Sequence, residues 1–171
     1  MSVMNTFYGR TFDPMEMTEE NVALEDIARA LSLLCRGGGH IRHFYSVAQH
    51  SINCAKEAKA RELPERMQLA CLLHDASEAY ISDIIRPVKE HLNNYLEIEA
   101  KIMSVIWKHF HLENLTEEEQ QTWKETDDGK SGNGSARIVF RTRRIGAKLE
   151  RNRNRVSAVG RASDLSVSAV R

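Results

Sequence analysis

The apolar positions in the first part of the chain recur with the spacing of amphipathic helices. A first stripe lies within residues 22–34 and places its apolar side chains on one helical face, namely Val22, Leu24, Ile27, Ala28, Leu31 and Leu34. Glu25 and Asp26 lie near its start, where the helix dipole favours acids. Three consecutive glycines follow Arg36, so the pattern predicts a helix that ends at this glycine run.

The same periodicity predicts four more helices. The second covers residues 46–62, and its inner face carries Val47, His50, Ser51, Cys54 and Ala58. The third begins at Pro64, a first-turn proline, and carries on one face Met67, Ala70, Cys71 and His74. After a turn around residues 82–87, a long helix is predicted within residues 92–110. Thr116 and Glu119 have the spacing of a capping box and open a fifth helix. No segment alternates with period two over a useful length, so we predict an all-α fold.

Charge divides the chain into two parts. The 24 basic and 24 acidic residues cancel, but residues 1–128 hold 13 basic and 22 acidic side chains, a net charge of −9. Residues 129–171 hold 11 and 2, a net charge of +9, and nine of the basic residues are arginine. This second part opens with a run of glycines and has no amphipathic period. We therefore predict a helical domain over residues 1–128 and a disordered or weakly structured Gly/Ser/Arg-rich basic tail over residues 129–171.

Composition also limits the setting in which the chain is expected to work. No run approaches the roughly 18 apolar residues of a membrane span, and the first ten residues lack the pattern of a secretory signal. The three cysteines are Cys35, Cys54 and Cys71, an odd count without CxxC spacing. This argues against a disulfide framework and a cysteine zinc site, so we expect a cytoplasmic protein without a membrane partner. Cys54 and Cys71 fall on core faces, where we expect them to act as small hydrophobes.

Several side chains able to bind a metal fall on the inner faces of the predicted helices. His74 and Asp75 directly follow the apolar run 69–73, and buried ionisable groups are costly unless they are paired or bind metal. The side chains that could converge with them are His50, Glu78, Asp83 and Asp127. Such mixed nitrogen and oxygen ligands suit a divalent transition metal or Mg²⁺. The alternative is that each histidine is a hydrogen-bonded core residue and that Asp127 is a solvated acid at a helix end.

The order of these motifs resembles the HD-domain metal-dependent phosphohydrolases. The matching segments are SVAQHS at residues 46–51, LLHDASEAY at residues 72–80, and Asp83 followed by PVK at residues 87–89. Within the family, the chain looks most like the branch that includes the bacterial 5′-deoxynucleotidases, over residues 11–128. The resemblance implies an HD-domain helical bundle with one divalent ion, which could be Mn, Co, Mg, Fe or Zn. It implies as metal ligands His50, His74, Asp75 and Asp127, since Asp127 follows the family's Lys-Glu-x lead and Asp128 fits it less well.

The resemblance also implies roles beyond metal binding. Glu78 and Asp83 match catalytic residues, and Arg36 matches an arginine that contacts the substrate phosphate, although Gly37 stands where those enzymes carry an aromatic residue. The expected activity is phosphate release from small nucleotides, in the first place 5′-deoxynucleoside monophosphates, by a chain that could form a homodimer. Alternatives are a nucleoside triphosphate or guanosine alarmone as substrate, or a low-turnover metal-holding module that binds nucleic acid through its tail.

The tail does not continue the pattern of the family. There the helix with the last aspartate continues and closes the bundle, whereas here glycines begin at Gly129, so we expect the domain to lack its closing helix. Three interpretations of residues 129–171 stay open: a nucleic-acid-binding arm, an inert solvated extension, or the product of a frame change or fusion near codon 129. The abrupt shift in arginine usage favours the third, and the nucleotide sequence would distinguish it.

Overall fold

Helices dominate the computed structural model, which describes residues 2–127 with the exception of the Asp127 side chain. The helices are α1 (Leu24–Leu33), α2 (Val47–Ala60), α3 (Glu65–Leu73), α4 (Glu78–Ile81), α5 (Arg86–Lys89), α6 (Asn93–His109) and α7 (Glu117–Asp127). Short 3₁₀ helices cover Pro14–Glu16, Glu19–Asn21 and Arg36–Gly39. This confirms the predicted helical class. Asp128 and the basic tail, with its predicted disorder, lie outside the described residues. No helix in the described part is both long and apolar enough to cross a membrane.

A small hairpin near the N-terminus departs from the all-helical prediction. Strands β1 (Met4–Asn5) and β2 (Thr11–Phe12) pair antiparallel, with Met4 opposite Phe12. Strands of two residues are too short to show period-two alternation, which explains why the pattern missed them. The hairpin is fastened to α1 through Asp26, which is 5% exposed. The Asp26 carboxylate accepts hydrogen bonds from the Tyr8 backbone N–H at 3.1 Å and from Arg10 Nη1 at 3.0 Å.

The end of α1 lies earlier than the glycine run predicted. The helix ends at Leu33, because the next backbone segment pairs with the residues that precede α2. The Val47 N–H donates to the Leu34 carbonyl at 2.9 Å, and the Arg36 N–H donates to the Tyr45 carbonyl at 2.9 Å. The glycines instead form a tight turn with φ values of +63°, +60° and +79°, which only glycine adopts readily. This pairing fixes Arg36 beside the start of α2.

The core explains how α2 and α3 come to face each other. Ser46 caps α2 as half of a capping box with Gln49, with hydrogen bonds of 3.1 and 2.9 Å. α2 packs along α3, and α7 packs against both. The main core is buried around Ile27, Val47, Leu73, Ile102 and Ile106, and a second cluster contains Cys54, Ala58 and Cys71 with Leu63 and Trp123. α3 ends at Leu73. His74, predicted to lie on a face of this helix, is the residue directly after it, and Asp75 lies in the turn between α3 and α4.

Candidate metal centre

His74 is held in one orientation at the C-terminal end of α3. It is 7% exposed, and its Nδ1 lies 2.9 Å from the backbone carbonyl of Cys71. A carbonyl oxygen can only accept a hydrogen bond, so Nδ1 carries the proton. When the ring is neutral, the lone pair of Nε2 faces away from the helix end and is available to a metal. A second hydrogen bond of this kind is the usual way in which a metal-binding histidine is oriented.

Two further possible ligand atoms lie close to the Nε2 atom of His74. His50 Nε2, from α2, lies 3.2 Å away, and Asp75 Oδ2 also lies 3.2 Å away. His50 Nε2 and Asp75 Oδ2 are 3.5 Å apart. Metal–ligand bonds of roughly 2.0–2.2 Å separate neighbouring ligand atoms by about 2.8–3.1 Å in octahedral geometry and about 3.3–3.6 Å in tetrahedral geometry. The triangle therefore has the dimensions of one face of a metal coordination sphere, and its imidazole and carboxylate donors fit a divalent ion.

The charge around Asp75 keeps it ionised. Burial by itself would raise the pKa of this carboxyl, but in the metal-free protein the charge and hydrogen bond of a protonated His74 and the positive charge of Arg36 outweigh burial. Together they lower the pKa to about 2. Asp75 is therefore a carboxylate at neutral pH, as a metal ligand must be.

Arg36 lies at the centre of a group of acids. Its Nη1 donates to Asp75 Oδ2 at 2.8 Å and lies 3.8 Å from Glu78 Oε2 and 3.9 Å from Asp83 Oδ2. Asp83 Oδ2 also accepts the Gly37 backbone N–H at 3.2 Å. The structure thus brings together Arg36, Glu78 and Asp83, the three residues for which the family resemblance implied roles in phosphate binding and catalysis. They meet across a break between α3 and α4, rather than along one continuous helix face.

Glu78 is the most strongly perturbed acid of the group. It is 3% exposed, and its Oε2 atom makes no hydrogen bond within the described part of the chain. Burial, followed by the negative charges of Asp75 and Asp83, raises its pKa to about 9 against the opposing effect of Arg36. Glu78 therefore carries a proton at neutral pH. A buried carboxyl with a displaced pKa beside a ligand cluster is typical of a functional site.

Asp127, the fourth predicted ligand, is the last residue of α7, and its side chain lies outside the described residues. Its role stays a prediction. The preceding turn of α7 does reach the centre, because the Trp123 ring centroid lies 5.7 Å from that of His74. Thr126 is buried, and its hydroxyl accepts from Arg61 Nη1 at 3.4 Å.

Cys54 is a neighbour of the centre that the sequence analysis placed in the core. Its Sγ lies 3.7 Å from His50 Nε2, and one possible ligand atom each from His50, Cys54 and His74 lies within 4.8 Å of the others. The sequence signal was present, because residues four apart share a helix face. It was not decisive, since the same spacing describes a small hydrophobe in a core.

Comparison with known proteins identifies one matching family model and two similar bacterial proteins. A family model described as HD domain matches residues 38–164, which includes both sides of the composition change near residue 128. The chain is 41% identical over 106 residues to the uncharacterized protein YfdR of Escherichia coli (strain K12), covering 62% of this chain and 57% of that protein. It is 36% identical over 110 residues to an uncharacterized protein of Rhodobacter capsulatus, covering 61% and 56%. The chain thus spans little more than half the length of these relatives.

Proposed function

The chain belongs to the HD-domain family, and from this premise we propose that it is a divalent-metal-dependent phosphohydrolase that releases phosphate from small nucleotides. The proposed substrates are 5′-deoxynucleoside monophosphates. One observation carries the proposal: ligand atoms of His50, His74 and Asp75 lie within 3.5 Å of one another, beside an arginine and two further acids. This combines a place for a metal with groups for phosphate binding and proton transfer.

The proposed ligands are His50, His74 and Asp75, with Asp127 as the predicted fourth. A divalent ion bound there supplies Lewis-acid chemistry, lowering the pKa of a coordinated water and polarising a phosphoryl oxygen. The protein contributes the fixed geometry. The Cys71 carbonyl sets the tautomer of His74, and Arg36 donates to Asp75 Oδ2, the same oxygen that faces the two histidines.

Arg36 is the proposed phosphate-binding residue. The described domain belongs to the acidic part of the chain, with a net charge of −9 over residues 1–128, so its overall field does not attract phosphate. Local positive charge must provide the attraction. The planar guanidinium of arginine suits phosphate oxygens, and Arg36 lies within 4 Å of three carboxyl groups at the centre.

Glu78 and Asp83 are the proposed proton-transfer residues. Burial and the charges of Asp75 and Asp83 favour the protonated form of Glu78, and in that form it can donate a proton to the leaving oxygen of the nucleoside as the P–O bond breaks. Asp83 is anchored by the Gly37 N–H, which leaves its carboxylate able to orient the attacking water or accept its proton. Glu78 would then act on the leaving oxygen, and Asp83 on the oxygen of the attacking water.

The test is phosphate release from a panel of nucleotides. Chelator-treated full-length protein is assayed with Mn²⁺, Co²⁺ or Mg²⁺ on deoxynucleoside and ribonucleoside monophosphates, a nucleoside triphosphate and a guanosine alarmone. We expect metal-dependent release, highest on the deoxynucleoside monophosphates. A preference for the triphosphate or the alarmone would replace the proposed substrate and keep the hydrolase, whereas no release with any metal would refute the hydrolase itself.

The Asp75→Ala variant tests the site assignment. Removal of this carboxylate takes away a proposed ligand and the partner of Arg36, so metal binding and phosphate release should be lost together. Glu97→Ala, at an exposed position of α6, is the matched control and should keep both. Full activity of Asp75→Ala would show that the site assignment is wrong.

Nucleic-acid binding through the basic tail, homodimer formation and a cytoplasmic location stay predictions. The tail is tested by salt-sensitive DNA or RNA binding that disappears when the chain is truncated at Asp128.

A further inference from the structure

We propose that Arg36 couples metal binding to phosphate binding: it holds Asp75 in the metal-free protein and turns to the substrate phosphate only when an ion takes over that carboxylate. This inference rests on the proposed metal-dependent function and deepens it. It adds an order of binding, with the ion before the phosphate, to the separate roles proposed for Arg36 and Asp75.

The contact between these two residues occupies the oxygen that a metal ion would use. Arg36 Nη1 donates to Asp75 Oδ2 at 2.8 Å. The same Oδ2 atom lies 3.2 Å from His74 Nε2 and 3.5 Å from His50 Nε2. Oδ2 is thus both the carboxylate atom of the ligand triangle and the acceptor of the guanidinium. An arriving ion therefore competes with Arg36 for one oxygen atom.

Electrostatic repulsion opposes the presence of both cations on Asp75. An ion bound to oxygen at about 2.0–2.2 Å would lie no more than about 5 Å from Arg36 Nη1, because Nη1 is itself 2.8 Å from that oxygen. Like charges repel at this separation, and they do so more strongly at a partly buried site than in water. The Arg36 and Asp75 side chains are only 19% and 16% exposed. Binding of the ion therefore weakens the attachment of Arg36 to Asp75.

The other acids near Arg36 hold it less closely than Asp75 does. Its Nη1 atom lies 3.8 Å from Glu78 Oε2 and 3.9 Å from Asp83 Oδ2, and both distances exceed a hydrogen bond. Asp83 is also anchored independently, through the Gly37 N–H. Once an ion neutralises Asp75, the guanidinium has lost its closest carboxylate. A substrate phosphate at the centre then provides the anion that it pairs with best.

The competing explanation is that Arg36 is a permanent outer partner that only orients Asp75. The two explanations predict opposite effects when the arginine is replaced. Loss of an outer partner of a metal ligand lowers metal affinity by about 10–100-fold. Removal of a positive charge within about 5 Å of a divalent ion raises metal affinity by at least about tenfold, even at the dielectric constant of bulk water.

The experiment titrates Co²⁺ into chelator-treated full-length protein, Arg36→Gln and Arg66→Gln, each with and without inorganic phosphate. Arg66 is exposed on α3, so its replacement is the matched control for the loss of one positive charge. We expect Arg36→Gln to bind Co²⁺ at least about tenfold more tightly than the unmodified protein. With Co²⁺ bound, it should bind phosphate at least about tenfold more weakly. Arg66→Gln should behave as the unmodified protein, which should bind phosphate only when the ion is present.

Side-chain NMR signals of Arg36 test the same coupling in the unmodified protein, so this measurement does not depend on the folding of a variant. In chelator, the guanidinium protons should exchange slowly with water, because Asp75 accepts from them. One equivalent of diamagnetic Zn²⁺ should accelerate their exchange. Addition of inorganic phosphate should slow the exchange again, at a new chemical shift.

Several results would overturn the coupling, and they differ from those that would refute the proposed function. Co²⁺ affinity that is unchanged or lower in folded Arg36→Gln, as verified by circular dichroism, would make Arg36 a permanent partner of Asp75. Arg36 signals that do not respond to Zn²⁺, or phosphate binding of equal strength with and without the ion, would also overturn the coupling. No binding of any ion to the unmodified protein would overturn the metal centre and this inference together. The expected Arg36 responses without phosphate release from any nucleotide would support the coupling and refute only the hydrolase.

Discussion

Replacing Glu78 with glutamine should stabilise the metal-free protein at neutral pH. The carboxyl is 3% exposed and lies beside Asp75 and Asp83. Burial and these two negative charges raise its pKa from 4.5 to about 9. Between those two pH values, the folded protein keeps a proton that the unfolded chain releases. Glutamine has the same shape and is neutral in both states, so it removes this difference.

The magnitude follows from proton linkage. Where the folded state holds one more proton than the unfolded state, the free energy of unfolding falls by about 1.4 kcal/mol per pH unit as the pH rises. The contribution of Glu78 is therefore fully present below pH 4.5 and is progressively lost until the pH reaches about 9. At pH 7 the loss amounts to about 3 kcal/mol. The difference between Glu78→Gln and the unmodified protein should grow with pH by the same slope.

Urea denaturation in the presence of a chelator, at intervals from pH 5 to pH 9, measures this difference. With urea m-values of about 1–3 kcal/mol/M, the midpoint of Glu78→Gln at pH 7 should lie about 1–3 M higher. Glu97→Gln, at an exposed position of α6, controls for the loss of one acid from the chain and should show no such slope. A stability difference that does not change with pH would refute the buried protonated state of Glu78. A constant offset would reflect only the packing of the amide.

Two further substitutions test other parts of the structure. Tyr95→Phe removes the hydroxyl that donates to the Ser82 carbonyl at 2.8 Å and so loosens Ser82, which has a φ of +72° and directly precedes Asp83. The kcat for phosphate release should fall several-fold, while the Co²⁺ affinity measured by titration should be unchanged. Asp26→Asn weakens the attachment of the hairpin to α1 and should lower the free energy of unfolding in urea by about 1–3 kcal/mol, and unchanged metal affinity would show that the effect is remote from the centre.

Helical periodicity predicted the elements of the fold better than it predicted their ends. The capping box at Thr116 is present, with hydrogen bonds of 2.8 and 3.2 Å to Glu119, because its signal is local. The end of α1 was displaced because the backbone of residues 34–36 pairs with residues 45–47, and the sequence contains no local signal for such long-range pairing. The local sequence pattern likewise could not show that α3 ends directly before His74.

The site was partly predictable for a related reason. His50 and His74 stood out because they lie on apolar helix faces, and a buried ionisable side chain is costly unless it is paired or binds a metal. Their approach to 3.2 Å depends on how α2 packs against α3, which no single segment encodes. Cys54 shows the opposite difficulty. A thiol on an inner face satisfies the expectation for a core residue, so sequence alone gives no reason to expect it beside the His50 ring.

The charge at the centre joins the unfolding and catalytic predictions for Glu78. Arg36 faces three carboxyl groups, and the proton on Glu78 reduces the negative charge that would otherwise be buried there. A divalent ion held by His50, His74 and Asp75 would neutralise the same excess, so it would lower the pKa of Glu78 below its value in the metal-free protein. The pH dependence of unfolding in chelator and that of phosphate release with metal therefore report two charge states of one carboxyl. If both gave the same pKa, no ion could lie beside Glu78 during the reaction.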